Sequence, residues 1–175
     1  MTLDAPRTGR AAAPSFAAVA EELLDDVYGY LLYMTKNWAI AEDLTSETFE
    51  TALRRWRRFD PRRGTPRTWL LAIARSTALD WFRADKRRRH REERAGLDAL
   101  HEEREPAFEG LSAELQDALR TLSAGEREVI ALRIVLDLEG EEVARLLGIT
   151  PTAVSTRLHR ALGKLEERMR DHDVA

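Results

Sequence analysis

The chain has 175 residues, 43% of them hydrophobic and 34% charged, with a formal net charge of −3. That is enough for one medium domain or two small ones with cores of their own. The absence of cysteine excludes disulfides and thiolate metal sites, and the four histidines, His90, His101, His159 and His172, show no ligand spacing.

Residues 1–14, with Pro6, Gly9 and Pro14, read as a disordered tail. They contain no apolar signal core, and no run along the chain approaches membrane-spanning length, so a cytoplasmic protein without membrane insertion is expected. From Ser15, apolar residues recur at Phe16, Val19, Leu23, Val27, Leu31 and Met34 with a helical period. A second helix is expected over Ala41–Phe59, with Leu44, Phe49, Ala52, Leu53 and Trp56 inward. Asp60-Pro-Arg-Arg-Gly64 is a turn. Thr65 followed by Pro66 is a helix cap with proline at the first helical position. The third helix is expected to reach about Arg89, with Leu70, Ile73, Ala74, Thr77 and Trp81 as its buried stripe, and both Trp56 and Trp69 are read as core.

Residues 92–111 are acidic, contain Gly96, Pro106 and Gly110, and read as a flexible linker. Four helices follow. The first covers Ser112–Leu122. The second opens on the capping box Ser123–Glu126 and carries Val129, Ile130, Leu132 and Ile134. The third is Glu139–Leu147, ended by Gly148, and the fourth runs from Thr150-Pro151 to about Arg170. The fold class is therefore all-α: two small helical domains, 15–91 and 112–175, joined by a flexible acidic linker. No further domain is expected after the fourth helix.

Charge is strongly segregated along this plan. Arg54–Arg91 holds 14 basic and 3 acidic residues, whereas Glu92–Ala118 holds 2 basic and 9 acidic ones. A block so one-sided repels itself without an anionic partner, which favours nucleic acid over a merely solvated helix surface. Arginine dominates it, and its planar fork suits phosphate and base edges. The stretch Trp69–Arg89 adds aromatic side chains to the cations, a combination suited to unpaired bases.

The segment EEVARLLGITPTAVSTRLHRALGKL has helix-turn-helix grammar. Ala144 is small at the helix crossing, Gly148 supplies the tight turn, and Ile149, Val154 and Leu158 lock the second helix onto the first. Val154, Leu158, Ala161, Leu162, Leu165 and Met169 form its buried face. Thr152, Ser155, Thr156, His159, Arg160 and Lys164 point outward, where such a motif enters the major groove. A unit this small needs a dimer or a second module to bind DNA well.

AEDLTSETFETALRRW (Ala41–Trp56), followed after the turn by TWLLAIARSTALDWFRADKRR (Thr68–Arg88), resembles the sigma-two domain of extracytoplasmic-function sigma factors of the sigma-70 family. LSAGEREVIALRIVLDLEGEEVARLLGITPTAVSTRLHRALGKL (Leu122–Leu165) resembles their sigma-four domain. The resemblance implies a non-enzymatic subunit with no cofactor that binds core RNA polymerase and promoter DNA. It implies an acidic docking face at Glu42, Asp43, Ser46, Glu47 and Glu50, although acid at Glu42 and Asp43 also complements the helix dipole. It places minus-ten contacts at Arg62, Arg63, Thr65, Arg67, Arg75, Ser76, Arg83, Lys86 and Arg87, with the turn Phe59–Arg67 capturing a flipped base. Minus-thirty-five contacts fall on the outward residues of the last helix.

Asp80 also reads as a plain ion-pair partner of Arg83, and Arg88, Arg89 and Arg91 as phosphate attraction without sequence information. Ser46 and Ser76 depart from the glutamine and asparagine common at those places, and their shorter hydroxyls lose an amide's paired donor and acceptor. Ser155 stands where a lysine is common, and Glu139-Gly140 replaces a Ser-Tyr-like pair. By the same resemblance an anti-sigma factor is an expected partner, and no obligate homo-oligomer is. The linker reads either as a tether or as a segment threading polymerase channels. The rival reading is a homodimeric helix-turn-helix regulator acting without polymerase, which leaves the aromatic-basic helix unexplained.

Overall fold

The computed structural model describes residues 15–95 and 112–173; the expected tail and most of the expected linker lie outside them. Helix α1, Phe16–Thr35, is capped by Ser15, whose Oγ accepts from the Ala18 amide at 3.2 Å. It ends on Lys36 in the left-handed region (φ 53°), and Asn37 at once caps α2, Trp38–Arg55, with Oδ1 accepting from the Ile40 amide at 3.1 Å. The turn is thus two residues long, and α2 begins before the expected Ala41. A short 3₁₀ turn, Trp56–Arg58, comes next. Helix α3, Pro66–Arg94, starts on the Thr65 cap with proline in its first turn. It runs to Arg94 rather than Arg89, so the first linker residues are helical.

The second half holds α4, Ala113–Arg120, α5, Ala124–Ile130, α6, Gly140–Leu147, and α7, Pro151–Asp173. The Ser123–Glu126 capping box is formed in both directions. After Ile130 the helix widens into a single π turn, Ala131–Val135, in which the Leu136 amide donates to the Ala131 carbonyl at 2.9 Å. An extra residue in the turn shifts the helical phase of its neighbours. Ile134 is 56% exposed beside Val135. Gly148 closes α6 at φ 67°, and Thr150 caps α7 by accepting from the Ala153 amide at 3.1 Å.

Helices α1, α2 and α3 pack mutually around Val27, Leu31, Ala41, Leu70, Leu71 and Ala74. Helices α4, α5 and α6 pack on α7 around Val129, Leu132, Val143, Val154 and Ala161. Three expected core residues are surface residues instead: Leu53 is 59% exposed, Met169 41% and Leu162 37%. Leu53 comes directly after the fully buried Ala52, and a step of about 100° around the helix carries it out to solvent. Trp56, Trp69 and Trp81 are half-buried. Leu71 and Ala78 join the buried stripe of α3.

The two halves touch. Helix α3 meets α6, and α1 meets the π turn, so one contiguous apolar cluster spans both.

Candidate nucleic-acid interface

On α2 Ala41, Leu44, Thr48 and Ala52 turn inward, which leaves Glu42, Asp43, Ser46, Glu47 and Glu50 on the exposed side. All five share one solvent-facing strip, extended at its end by exposed Leu53. Glu50 meets Arg54 at 3.4 Å, but both side chains are about two-thirds exposed, so the pair holds neither firmly. A groove of about 320 Å³ separates α2 from α3, and its walls include Glu47 on one side and Ser76 and Asp80 on the other.

The turn before α3 rests on an aromatic cluster. Trp56 and Phe59 stack with centroids 5.1 Å apart, and Trp69 meets both at 5.7 and 5.5 Å. Phe16 closes the cluster from α1 at 5.4 Å from Trp56. Asp60 shapes the turn: its Oδ1 accepts from the Arg62 amide and its carbonyl from the Arg63 amide, both at 3.0 Å. Arg62, Arg63 and Thr65 are exposed. A cavity of about 410 Å³ opens beside them, lined on one side by Arg58, Phe59, Arg63 and Trp69, and on the other by Glu142, Arg145 and Leu146 of α6. Trp69 is therefore both packing residue and cavity wall.

Along α3 the expected contacts divide. Ser76, Arg83, Lys86 and Arg87 are exposed. Arg83 pairs with Asp80 at 2.9 Å, both about two-thirds exposed, as the i,i+3 spacing foretold. Arg67 and Arg75 are turned the other way. The Arg67 Nε donates to Asp26 at 2.6 Å and its Nη2 to the Leu136 carbonyl at 2.7 Å. The Arg75 Nε donates to Glu128 Oε1 at 2.8 Å, and that carboxylate also accepts from the Tyr30 hydroxyl at 2.9 Å. Burial, then the charge and hydrogen bond of Glu128, push the Tyr30 hydroxyl well above its ordinary pKa. Farther along, Asp85 is buried and clamped by Arg88 at 2.5 Å and by Arg89, so these two arginines also serve the helix itself.

On α7 the buried Val154 and Ala161 orient the helix, and Thr152, Ser155, Thr156, His159 and Arg160 are exposed together along its first turns. Ser155 Oγ donates back to the Pro151 carbonyl at 3.2 Å. Lys164 reaches across to Glu126 of α5 at 2.8 Å. The Lys164 hydrogen bond and the Ser123 amide bring the Glu126 carboxyl down to about 2. Arg157, absent from the expected set, lies over Gly125 and joins Thr152, Thr156 and Arg160 around a groove of about 540 Å³. Its sequence position next to Thr156 gave no outward signal; only the lean of its long side chain over α5 brings it there.

Two family models match: Sigma-70 region 2 over residues 19–88, and Sigma-70, region 4 over residues 112–165. The chain is 36% identical over 163 residues to the ECF RNA polymerase sigma factor BldN of Streptomyces coelicolor, covering 91% of this chain and 62% of that one. It is 30% identical to the ECF RNA polymerase sigma factor SigX of Bacillus subtilis, covering 89% of this chain and 84% of the relative. RNA polymerase sigma factor CarQ of Myxococcus xanthus is 36% identical, with 81% of each chain covered. Among solved structures, the sigma factor RpoE in complex with the anti-sigma factor NepR from Bartonella quintana superposes with a TM-score of 0.69 at 25% identity, over 89% of this chain and 96% of that one. CnrH in complex with the cytosolic domain of CnrY gives 0.65 at 25% identity, over 89% and 88%.

Proposed function

The chain belongs to the extracytoplasmic-function sigma factors of the sigma-70 family, and from that premise we propose how its surfaces divide the work of transcription initiation. The first domain, 15–91, docks on core RNA polymerase through the α2 strip Glu42, Asp43, Ser46, Glu47 and Glu50, with Leu53 as its apolar end. Opposite charge guides the encounter, and the exposed leucine adds burial on docking. The turn with Arg62, Arg63 and Thr65, and the α3 side chains Arg67, Arg75, Ser76, Arg83, Lys86 and Arg87, take the minus-ten element. Flipping a base costs a few kcal/mol of stacking, and the cavity against Phe59 and Trp69 offers replacement contacts.

The second domain, 112–175, sets α7 in the major groove of the minus-thirty-five element through Thr152, Ser155, Thr156, His159 and Arg160, with Arg157 on the flank. Lys164 acts there only after leaving Glu126. An anti-sigma factor is the expected inhibitor, supported by the fold shared with RpoE as it is held by NepR. The protein acts in the cytoplasm and without chemistry of its own.

The observation that supports this reading is the segregation of surfaces: α2 exposes an acidic strip, and α3, across a groove walled by Glu47 and Ser76, exposes the cations Arg83, Lys86 and Arg87 farther along its length. Transcription from a matched promoter tests it. Promoter opening should require both this chain and core polymerase. Tight operator binding by a homodimer without core would refute it.

A further inference from the structure

The basic end of α3 has two sides. On one, Arg83, Lys86, Arg87 and His90 follow the i, i+3, i+4, i+7 spacing of a single helix face, and with Arg89 they line a groove of about 730 Å³. Lys86 and Arg87 are exposed there, and among the described residues their charged groups have no acidic partner. On the other side lies Asp85, whose side chain is 6% exposed. The Arg88 Nη2 donates to its Oδ1 at 2.5 Å, and the Arg89 Nη2 donates to its Oδ2. Arg88 also stands 3.9 Å from Glu92. A carboxylate buried in this way is costly unless cations replace its hydration, so the folded chain commits both arginines to it.

We propose that Asp85 is a positioning residue for DNA: it stands between Arg88 and Arg89 as a phosphate would, so that a DNA strand meets the basic end of α3 along the Arg83–His90 face. The chemistry fits, because a guanidinium fork accepts carboxylate and phosphate with the same geometry. The direction fits as well. A helix end with free cations all round would draw phosphate from every side and let the strand settle on several tracks. Phosphate contacts fix the register of a protein on DNA, so cations confined to one face define one track. Arg89 already reaches the groove from its clamped position, and its release would add a cation beside that track. Arg88, once released, still has Glu92 within reach.

The full-length chain, without polymerase, is titrated into a fluorescein-labelled, mixed-sequence single-stranded DNA oligonucleotide, and anisotropy is followed across a salt series. Each phosphate held on a single strand adds about 0.7 to the slope of log affinity against log salt. The isosteric Asp85→Asn should steepen that slope by about 0.7 if Arg89 joins the groove, and by about 1.4 if Arg88 leaves Glu92 as well. Between about 50 and 200 mM salt this is an extra loss of roughly three- to sevenfold in affinity. Asp85→Ala should act the same way, and adding Arg88→Gln and Arg89→Gln to Asp85→Asn should restore the wild-type slope. Glu93→Gln removes the same charge from an exposed site whose partner is His90, so it should raise affinity without steepening the slope. Equal steepening in Glu93→Gln would reduce the effect to net charge and overturn the proposal, as would an unchanged slope in both Asp85 variants. Because the proposal rests on α3 facing DNA, Lys86→Gln with Arg87→Gln is measured in parallel. A slope left intact by that pair overturns the α3 reading and the proposal with it. A slope lowered by that pair but not steepened in Asp85→Asn overturns the role of Asp85 alone.

Discussion

Gly148 and Gly29 offer the same perturbation, a methyl group added to glycine, with opposite expected signs. Neither new Cβ would meet a heavy atom within 4 Å, so packing drops out of the comparison and backbone conformation alone decides. Gly148 sits at φ 67° and ψ 35°, where its amide donates to the Ala144 carbonyl as α6 ends. The Ile149 amide reaches the same carbonyl at 3.1 Å, which completes the left-handed helix stop. An L-residue there costs about 1–2 kcal/mol. Gly29 lies inside α1 with ordinary helical geometry, where alanine gains about 0.5–1 kcal/mol by restricting the unfolded chain. For a chain of this size each kcal/mol moves the melting temperature by about 2–4 °C. Gly148→Ala should therefore lower it by roughly 2–8 °C and Gly29→Ala raise it by roughly 1–4 °C, monitored by far-ultraviolet circular dichroism. Because Gly148 also fixes the angle between α6 and α7, Gly148→Ala should weaken minus-thirty-five binding as well. A Gly148→Ala protein as stable as the parent would refute the assignment of a required left-handed residue.

Arg160→Ala should weaken binding of the upstream element by about 1–3 kcal/mol if its fork meets a base, and relax preference at that position; unchanged preference in a binding competition removes Arg160 from the reading set. Glu47→Lys should lower affinity for core polymerase, measured by fluorescence anisotropy, and lower it more at low salt than at high, while leaving the helical content intact. The Glu126 carboxyl, held to about 2 by Lys164 and the Ser123 amide, has a folded pKa below its ordinary value. Its contribution is complete above an unfolded pKa of about 4.3 and is lost as pH falls toward 2. The acid limb of an unfolding profile should accordingly flatten over that window in Glu126→Gln, and an unchanged limb would refute the coupling.

Local signals in the sequence proved reliable because their causes are local. Thr65 before Pro66, Ser123 three residues before Glu126, and Thr150 before Pro151 each need only a hydroxyl and nearby amide donors, and each caps the helix expected. Gly148 obeys the same logic. Asn37 was legible in principle as a cap, but the apolar run through Trp38 obscured it. The π turn was not legible. Its i→i−5 bond leaves no local signature, and Ile134 and Val135, apolar in sequence, both lie exposed in the widened turn.

The DNA-facing assignments show the same division. The exposure of Ser76, Arg83 and Lys86 comes from which residues of α3 are apolar, so the period predicts it. The partners of Arg67 and Arg75 cannot be read from any period. Glu128 lies 53 positions from Arg75 and 98 from Tyr30 and looks in sequence like one more helix-surface acid. Asp85 is intermediate: its partners lie three and four residues on, but burial under Arg88 and Arg89 depends on the fold.

This division bears on how the protein would meet DNA. Of the α3 cations, those that remain on the surface, Arg83, Lys86 and Arg87 with the arginines after them, belong to its basic end, while Arg62 and Arg63 are exposed on the turn before it. Arg83 pairs with Asp80, and the pair is exposed enough for water and salt to compete with it. The withheld cations, Arg67 and Arg75, lie nearer the base-capturing turn and are paired with carboxylates that water reaches less. On the proposed reading, α3 therefore offers free cations at one end and paired ones at the other. The exposed end draws phosphate from a distance, with a strength that falls steeply as salt rises. Any contact of Arg67 or Arg75 with DNA requires them first to leave Asp26 and Glu128. Without core the chain should therefore bind DNA weakly and in a salt-dependent way, with affinity indifferent to the minus-ten sequence, while the exposed residues of α7 remain able to meet a minus-thirty-five element. Discrimination at the minus-ten element should emerge only with core polymerase or with Glu128→Gln. A wild-type chain that discriminates among minus-ten variants of one oligonucleotide without core would show that Arg67 and Arg75 are not what that reading requires.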